Sequence, residues 1–378
     1  MKYGLIYYHN TENVGDDILS YAAKQFLPRV DYFIDREAMN LFIPNEKEYV
    51  AAILNGWYLY HTYEFPPSPY FLPLFTGTHF TKDQWIFSDY SYLDGPVTDY
   101  LKSHGPIGCR DSHTREILTQ RGIDCYFSGC LTLTLKPFSD VSPTHAIVLT
   151  DVSDSVADYV RSLFPNREII RITHMLTPEE IGGAWPDREA RVESYLKIYQ
   201  AADLVITPRL HCALPSLALG TPVVLIENFD EDFNIRLSDY TGYTVCCVEE
   251  DLLSGKTDEI MLHSVSGKDM ATAAADSGIP HSATIPGQEL TSMAAGLTET
   301  CRDFIRLVSA HEPDLSLLPE PSQYQKLYLD RTEYMRRAIP QLLGICLNLQ
   351  KQHLHDLDVM NQVLATAQKI YDMTPGTP

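Results

Sequence analysis

Short apolar runs alternate with stripes of helical period along most of this chain. Residues 2–8 read as a first buried strand, 9–17 as a polar turn, and the helix that follows carries Ile18, Leu19, Ala22 and Phe26 on one stripe. A second buried run, 50–54, ends at Asn55-Gly56. The stretch 58–80 is rich in Tyr, Phe and Pro, has no clean period, and reads as a loop with short pieces of structure. A strand at 105–109, a helix at 112–121, a strand at 124–127 and a connector at 128–135 complete a first half. The second half is more regular, with strands at 144–150, 168–173, 204–207 and 222–227 and helices at 152–164, 188–202 and 210–219. Alternation at this spacing predicts parallel, doubly wound sheets, with a ligand in the cleft outside the carboxyl ends of the strands.

Residues 255–297 are small and polar and read as a mobile surface insertion. Beyond 321 two helical stretches follow, the last at 342–371 with Leu347, Leu354, Leu357, Leu364 and Tyr371 on one stripe, suited to packing on the domains or on a second copy in a homo-oligomer. The expected division is 1–140 as an acceptor-side domain, 141–312 as a donor-side domain containing the insertion, and 313–378 as a helical extension.

Composition narrows the partners. The chain has 378 residues, enough for two cores, and a formal net charge of -21. That charge argues against a nucleic-acid partner and makes any convergence of arginines local, because the background field repels anions. The eight cysteines have no zinc-ribbon or CxxC spacing, and Cys109, Cys212, Cys246 and Cys346 fall in predicted elements, as reduced, buried thiols of a cytoplasmic protein do. No apolar run approaches the roughly 20 residues of a membrane span. The histidines form no metal-ligand spacing, so no metal site is expected.

Four strand ends carry candidate chemistry. In Thr207-Pro208-Arg209-Leu210-His211 a buried strand runs into a helix, placing a guanidinium, an imidazole and unpaired helix amides together. Such a junction suits an oxyanion, with His211 able to carry a proton; the plainer reading is an arginine bridged to surface acid and a histidine filling a cap. Pro106 to Ser112 places Arg110 at a second strand end, read either as an anion grip facing the first across the cleft or as a local pair with Asp111. The first turn, Asn10 to Asp17, has Gly15 for a tight approach, and its Asp16 and Asp17 serve either as helix-terminal acids or as groups that handle a sugar hydroxyl. Asn55-Gly56-Trp57 ends another strand, where Trp57 is a stacking platform or core.

Together these segments resemble the polysaccharide pyruvyltransferase family. The resemblance rests on Asn13-x-Gly15-Asp16-Asp17, on Cys109-Arg110-Asp111-Ser112 with Leu118-x-x-x-Gly122, and on Ile206-Thr207-x-Arg209-Leu210-His211 running to Gly220-Thr221-Pro222. It implies a glycosyltransferase-B-like α/β fold of two Rossmann-like domains. It also implies transfer of the enolpyruvyl unit of phosphoenolpyruvate to the hydroxyls of a sugar, polysaccharide or lipid-linked glycan, with no cofactor. Arg110, Arg209, Leu210 and Arg236 would hold the donor, Arg236 standing where the family often has lysine. His211 would be the acid and Asp16 its catalytic companion on the acceptor side, with Asn13, Asp17, Asn55 and Trp57 touching the acceptor. Two rivals are a sugar-nucleotide glycosyltransferase, disfavoured because Pro215 stands where a ribose-holding glutamate would, and a non-catalytic sugar-binding relative, which would not need Arg209 and His211.

Overall fold

The computed structural model describes residues 1–58, 65–82, 90–227, 235–265, 286–310 and 313–326. Its first sheet holds β1 (Lys2–Tyr7), β2 (Tyr32–Asp35), β3 (Val50–Tyr58), β4 (Phe71–Phe80), β5 (Ile107–Cys109) and β6 (Cys125–Phe127), all parallel, in the order β2-β1-β3-β4-β5-β6. The second holds β7 (Ile147–Thr150), β8 (Ile169–Ile172), β9 (Leu204–Thr207), β10 (Val223–Glu227) and β11 (Val245–Val248), again parallel, in the order β11-β10-β9-β7-β8. Both orders follow one rule: the first strand of each sheet has the second on one side and the third on the other. The strand order therefore reverses between β1 and β3 and again between β7 and β9, which opens a crevice at the carboxyl ends there.

Helices α1 (Val14–Lys24), α2 (Pro96–Ser103), α3 (Ser112–Gln120), α4 (Asp154–Leu163), α5 (Trp185–Ala201) and α6 (Leu210–Ala218) connect the strands. Val14, Ile18 and Ala22 of α1 form one apolar core with Val192 and Leu196 of α5 and Cys212 and Ala213 of α6. This core joins the two sheets. Burial of such side chains is worth roughly 1.5–3 kcal/mol each, so the cleft floor is apolar and firmly packed.

Three expectations are corrected. The stretch 58–80 contains β4, ten residues long and paired with β3 along most of its length. Its period is hidden because it is buried on both faces, as interior parallel strands are. Pro73 is tolerated because β4 meets β5 only at Thr78, so no ladder bond from residue 73 is needed on that side. The short strands β2 and β11 also escaped the sequence pattern. The region from 255 is not simply a polar insertion: after α7 (Glu249–Leu253), helix α8 (Asp258–Val265) buries Ile260 and Met261 in the core under the second sheet. Helix α9 (Pro286–Ala310) then returns to the first sheet, where Val308 packs on Tyr3 and Ala51. Residues 266–285, 342–371 and Cys346 lie outside the described residues.

Candidate active site

At the switch point of the second sheet, Asp151 follows the end of β7 and Arg209 lies just past the end of β9. Arg209 Nε donates to Asp151 Oδ2 at 2.9 Å. The arginine is also the N-cap of α6, and it makes no side-chain capping bond. Among the described residues the amides of Leu210 and His211 have no hydrogen-bond partner, at the positive end of a nine-residue helix where an anion is favoured.

Arg110 reaches the same place from the first sheet. It is almost completely buried, its Nη1 lies 3.4 Å from His211 Nε2, and its Nε is buried without a partner. A buried guanidinium with an unsatisfied N–H is costly unless something completes it. Its backbone is clamped by the second half: Tyr240 Oη donates to the Arg110 carbonyl at 2.6 Å, and Asp239 accepts from both the amide and the hydroxyl of Ser112 at 2.6 Å. Asp111 is not paired with Arg110 by a direct bond. It caps α3 through the Thr114 amide at 2.7 Å and holds His79 Nδ1 at 2.6 Å.

Arg209, Leu210, His211, Arg236, His174 and Asn13 line one cavity of about 90 Å³ with Leu237. The space suits a compact anion and leaves no room for a sugar as well. A guanidinium can only donate, so His211 Nε2 is the unprotonated nitrogen in this arrangement. His211 is half-buried, with one edge on the cavity and protein around the rest. Burial and then the positive fields of Arg110 and Arg236 hold its pKa well below the ordinary histidine value. It is therefore neutral in the empty site at physiological pH.

The first-sheet switch point forms the adjoining wall. Asn13 caps α1 by accepting from the Gly15 amide at 2.8 Å, and the Val14 amide donates to the His174 carbonyl at 2.9 Å. A Cβ on Gly15 would meet Asn13 Oδ1 at 3.0 Å and His211 Cβ at 3.1 Å, so glycine lets α1 approach the histidine closely. Asp16 accepts from Thr11 Oγ1 at 2.6 Å and from Trp57 Nε1 at 3.2 Å, with Arg36 stacked on Tyr8 and Trp57 beside it. Asp16 and Trp57 are thus brought together, and Asn13 shares the cavity with His211.

Two expected acceptor contacts face elsewhere. Asp17 is wholly buried and paired with Arg188 of α5 through Nε at 2.9 Å and through Nη2. Asn55 is buried, and its amide donates to the Leu19 carbonyl at 3.0 Å. Neither offers surface to a sugar; both tie α1 in place. Sequence reasoning missed Asp151, His174, His79 and Asp239. The first two follow Thr150 and Thr173 at strand ends, the same positional signal that singled out the arginines. His79 was hidden with β4.

Two parallel sheets, with a small cavity lined by arginines, histidines and helix amides between them, define an α/β protein of two sheets. The sequence model of the polysaccharide pyruvyl transferase family matches residues 13–231, more than half of the chain, and the chain belongs to that family. Every cavity-lining residue except Arg236 and Leu237 lies within that span. A comparison with curated proteins finds no match. Among solved structures, the chain is similar to a protein of uncharacterised function from Klebsiella pneumoniae subsp. pneumoniae NTUH-K2044, at 13% identity and a TM-score of 0.36, covering 63% of this chain and 88% of that one. No described helix is long and apolar enough to cross a membrane.

Proposed function

We propose that the protein transfers the enolpyruvyl unit of phosphoenolpyruvate to two hydroxyls of a glycan sugar, forming a pyruvate ketal and releasing phosphate, on cytoplasmic precursors of an exopolysaccharide or other cell-envelope glycan. The observation that carries this reading is a cavity that holds Arg209, Arg236, His211 and the open α6 amides, with buried Arg110 reaching the His211 ring. A donor with a carboxylate and a phosphate needs two separated cationic grips, and a double bond that must gain a proton needs an acid beside them. The cavity holds both.

In the reaction the donor's methylene carbon gains a proton and becomes a methyl group. One sugar hydroxyl bonds to the central carbon, the carbon–oxygen bond to phosphate breaks with its electron pair leaving on phosphate, and the second hydroxyl closes the ketal. The two hydroxyl protons balance the one taken by carbon and the one taken by phosphate. Arg110 and Arg209 stabilise the negative charge that gathers on the leaving phosphate and the carboxylate. His211 supplies the proton to carbon. It is neutral in the empty site because of burial and the fields of Arg110 and Arg236. An arriving polyanion cancels those fields and lets the imidazole take up a proton, so the acid is charged when the donor is in place. Asp16, held by Thr11 and Trp57, is an acceptor for a sugar hydroxyl, with Asn13 beside it.

Thermal-shift binding tests the donor. Phosphoenolpyruvate should raise the midpoint, and UDP- and GDP-sugars should leave it unchanged. Stabilisation by a nucleotide sugar alone would point to a glycosyltransferase instead.

A further inference from the structure

Asp151 has a φ of 54°, a left-handed conformation that a non-glycine residue keeps only when its surroundings hold it there. Three donors do so: Thr173 Oγ1 at 2.6 Å, the His174 amide at 3.0 Å and Arg209 Nε at 2.9 Å. Thr173 and His174 follow β8, the edge strand next to β7, so the carboxylate is fixed from the sheet side and offers an oxygen to the arginine on the other. Burial disfavours its charge, but the Thr173, His174 and Arg209 interactions outweigh it and hold the carboxyl below the usual range, so it is ionised at neutral pH.

The pair runs through Nε, not through the terminal amino groups. Among the described residues, Nη1 and Nη2 of Arg209 make no hydrogen bond, and the side chain lines the cavity. An arginine anchored this way presents two parallel N–H groups, a match for a planar carboxylate. The neighbouring Asp151 charge also offsets much of Arg209's own. Arg110 differs: among the described residues no carboxylate is hydrogen-bonded to its guanidinium, although the charge of Asp111 lies nearby, and its Nη1 lies against His211.

We infer that Asp151 is a positioning residue that makes Arg209 the carboxylate-gripping arm of the donor site, leaving the phosphate to Arg110 and the open amides of α6. The assignment follows from charge. A phosphate dianion gains most at the open helix terminus, beside a guanidinium to which no described carboxylate is hydrogen-bonded, and a carboxylate monoanion fits the arginine that already has an acid partner. This inference rests on the phosphoenolpyruvate reading above.

Calorimetric titration of the full chain with phosphoenolpyruvate and, separately, with inorganic phosphate tests it. Asp151→Gly and Asp151→Asn both keep the left-handed turn accessible while removing the charge. In each, the preference for phosphoenolpyruvate over inorganic phosphate should fall about tenfold, the loss expected when a charge-assisted grip is misaligned. Thr173→Val loosens the same carboxylate from the sheet side and should move the preference in the same direction by a smaller factor. A preference unchanged in all three variants overturns the inference. Failure of the parent chain to bind phosphoenolpyruvate at all would instead remove the reading beneath it.

Discussion

Arg110, just past β5 of the first sheet, and His211, in the first turn of α6 after β9 of the second, stand 101 residues apart, yet Nη1 of the first lies 3.4 Å from Nε2 of the second. The contact makes the histidine's proton affinity depend on the arginine. Replacing Arg110 with methionine removes a cation from a ring already starved of water, so His211 should titrate closer to the ordinary histidine value. NMR titration of its ring protons reads this directly. An unmoved titration in Arg110→Met would show that this contact does not set the histidine.

Gly15 lets α1 lie against that histidine. In Gly15→Ala the new methyl would sit 3.1 Å from His211 Cβ. We expect a destabilisation of about 1–3 kcal/mol by overpacking. Turnover should fall by more than that loss explains, because the ring itself is displaced. Steady-state rates set beside urea unfolding separate the two, and a variant with full turnover would mean that the ring is not held in its working position by this contact.

Much of this site was visible in the chain before any fold was built. The arginines and His211 follow strands with clear apolar runs, and Asn13 and Asp111 cap the helices expected after them. What was hidden has physical causes. β4 is buried on both faces and carries a proline, so neither period nor propensity marked it, and His79 went with it. Asp17 and Asn55 looked like ligand contacts because one lies in the first β-to-α turn and the other at the expected end of a strand. Only the packing of α1 on α5 and β3 shows that one meets Arg188 and the other the Leu19 carbonyl. No local pattern encodes those long-range partners.

The Asp17–Arg188 pair is a prediction about stability. Arg188 is buried, and it also donates to the Tyr8 and His9 carbonyls. Arg188→Ala strands a buried carboxylate and should cost roughly 3–5 kcal/mol, with a double Asp17→Asn, Arg188→Met variant losing less than the single one. Urea unfolding measures both. A single-variant loss under about 1 kcal/mol would show that the pair contributes little.

Two buried histidines set an acid limit. Burial brings His79 down to about 4 and His174 down to about 3, against an ordinary value of 6.5 in the unfolded chain. From about pH 6.5 down to about 4 the unfolded state therefore takes up protons that the native state refuses, and stability drops as pH falls. Each histidine contributes roughly 1 kcal/mol per pH unit in that window. His79→Asn should flatten the fall in urea midpoint between about pH 7 and about pH 5. An identical slope in variant and parent would contradict the neutral assignment.

The most direct test of the proposed reaction is phosphate release from phosphoenolpyruvate, measured with and without a panel of galactosides, glucosides and N-acetylmannosaminides. We expect release that depends on one acceptor class. It should persist at raised donor concentration in Arg209→Ala, and fall about a hundredfold or more in His211→Ala at saturating donor, the range of a lost proton donor. No acceptor-dependent release from the parent chain, or full turnover in His211→Ala, would contradict it.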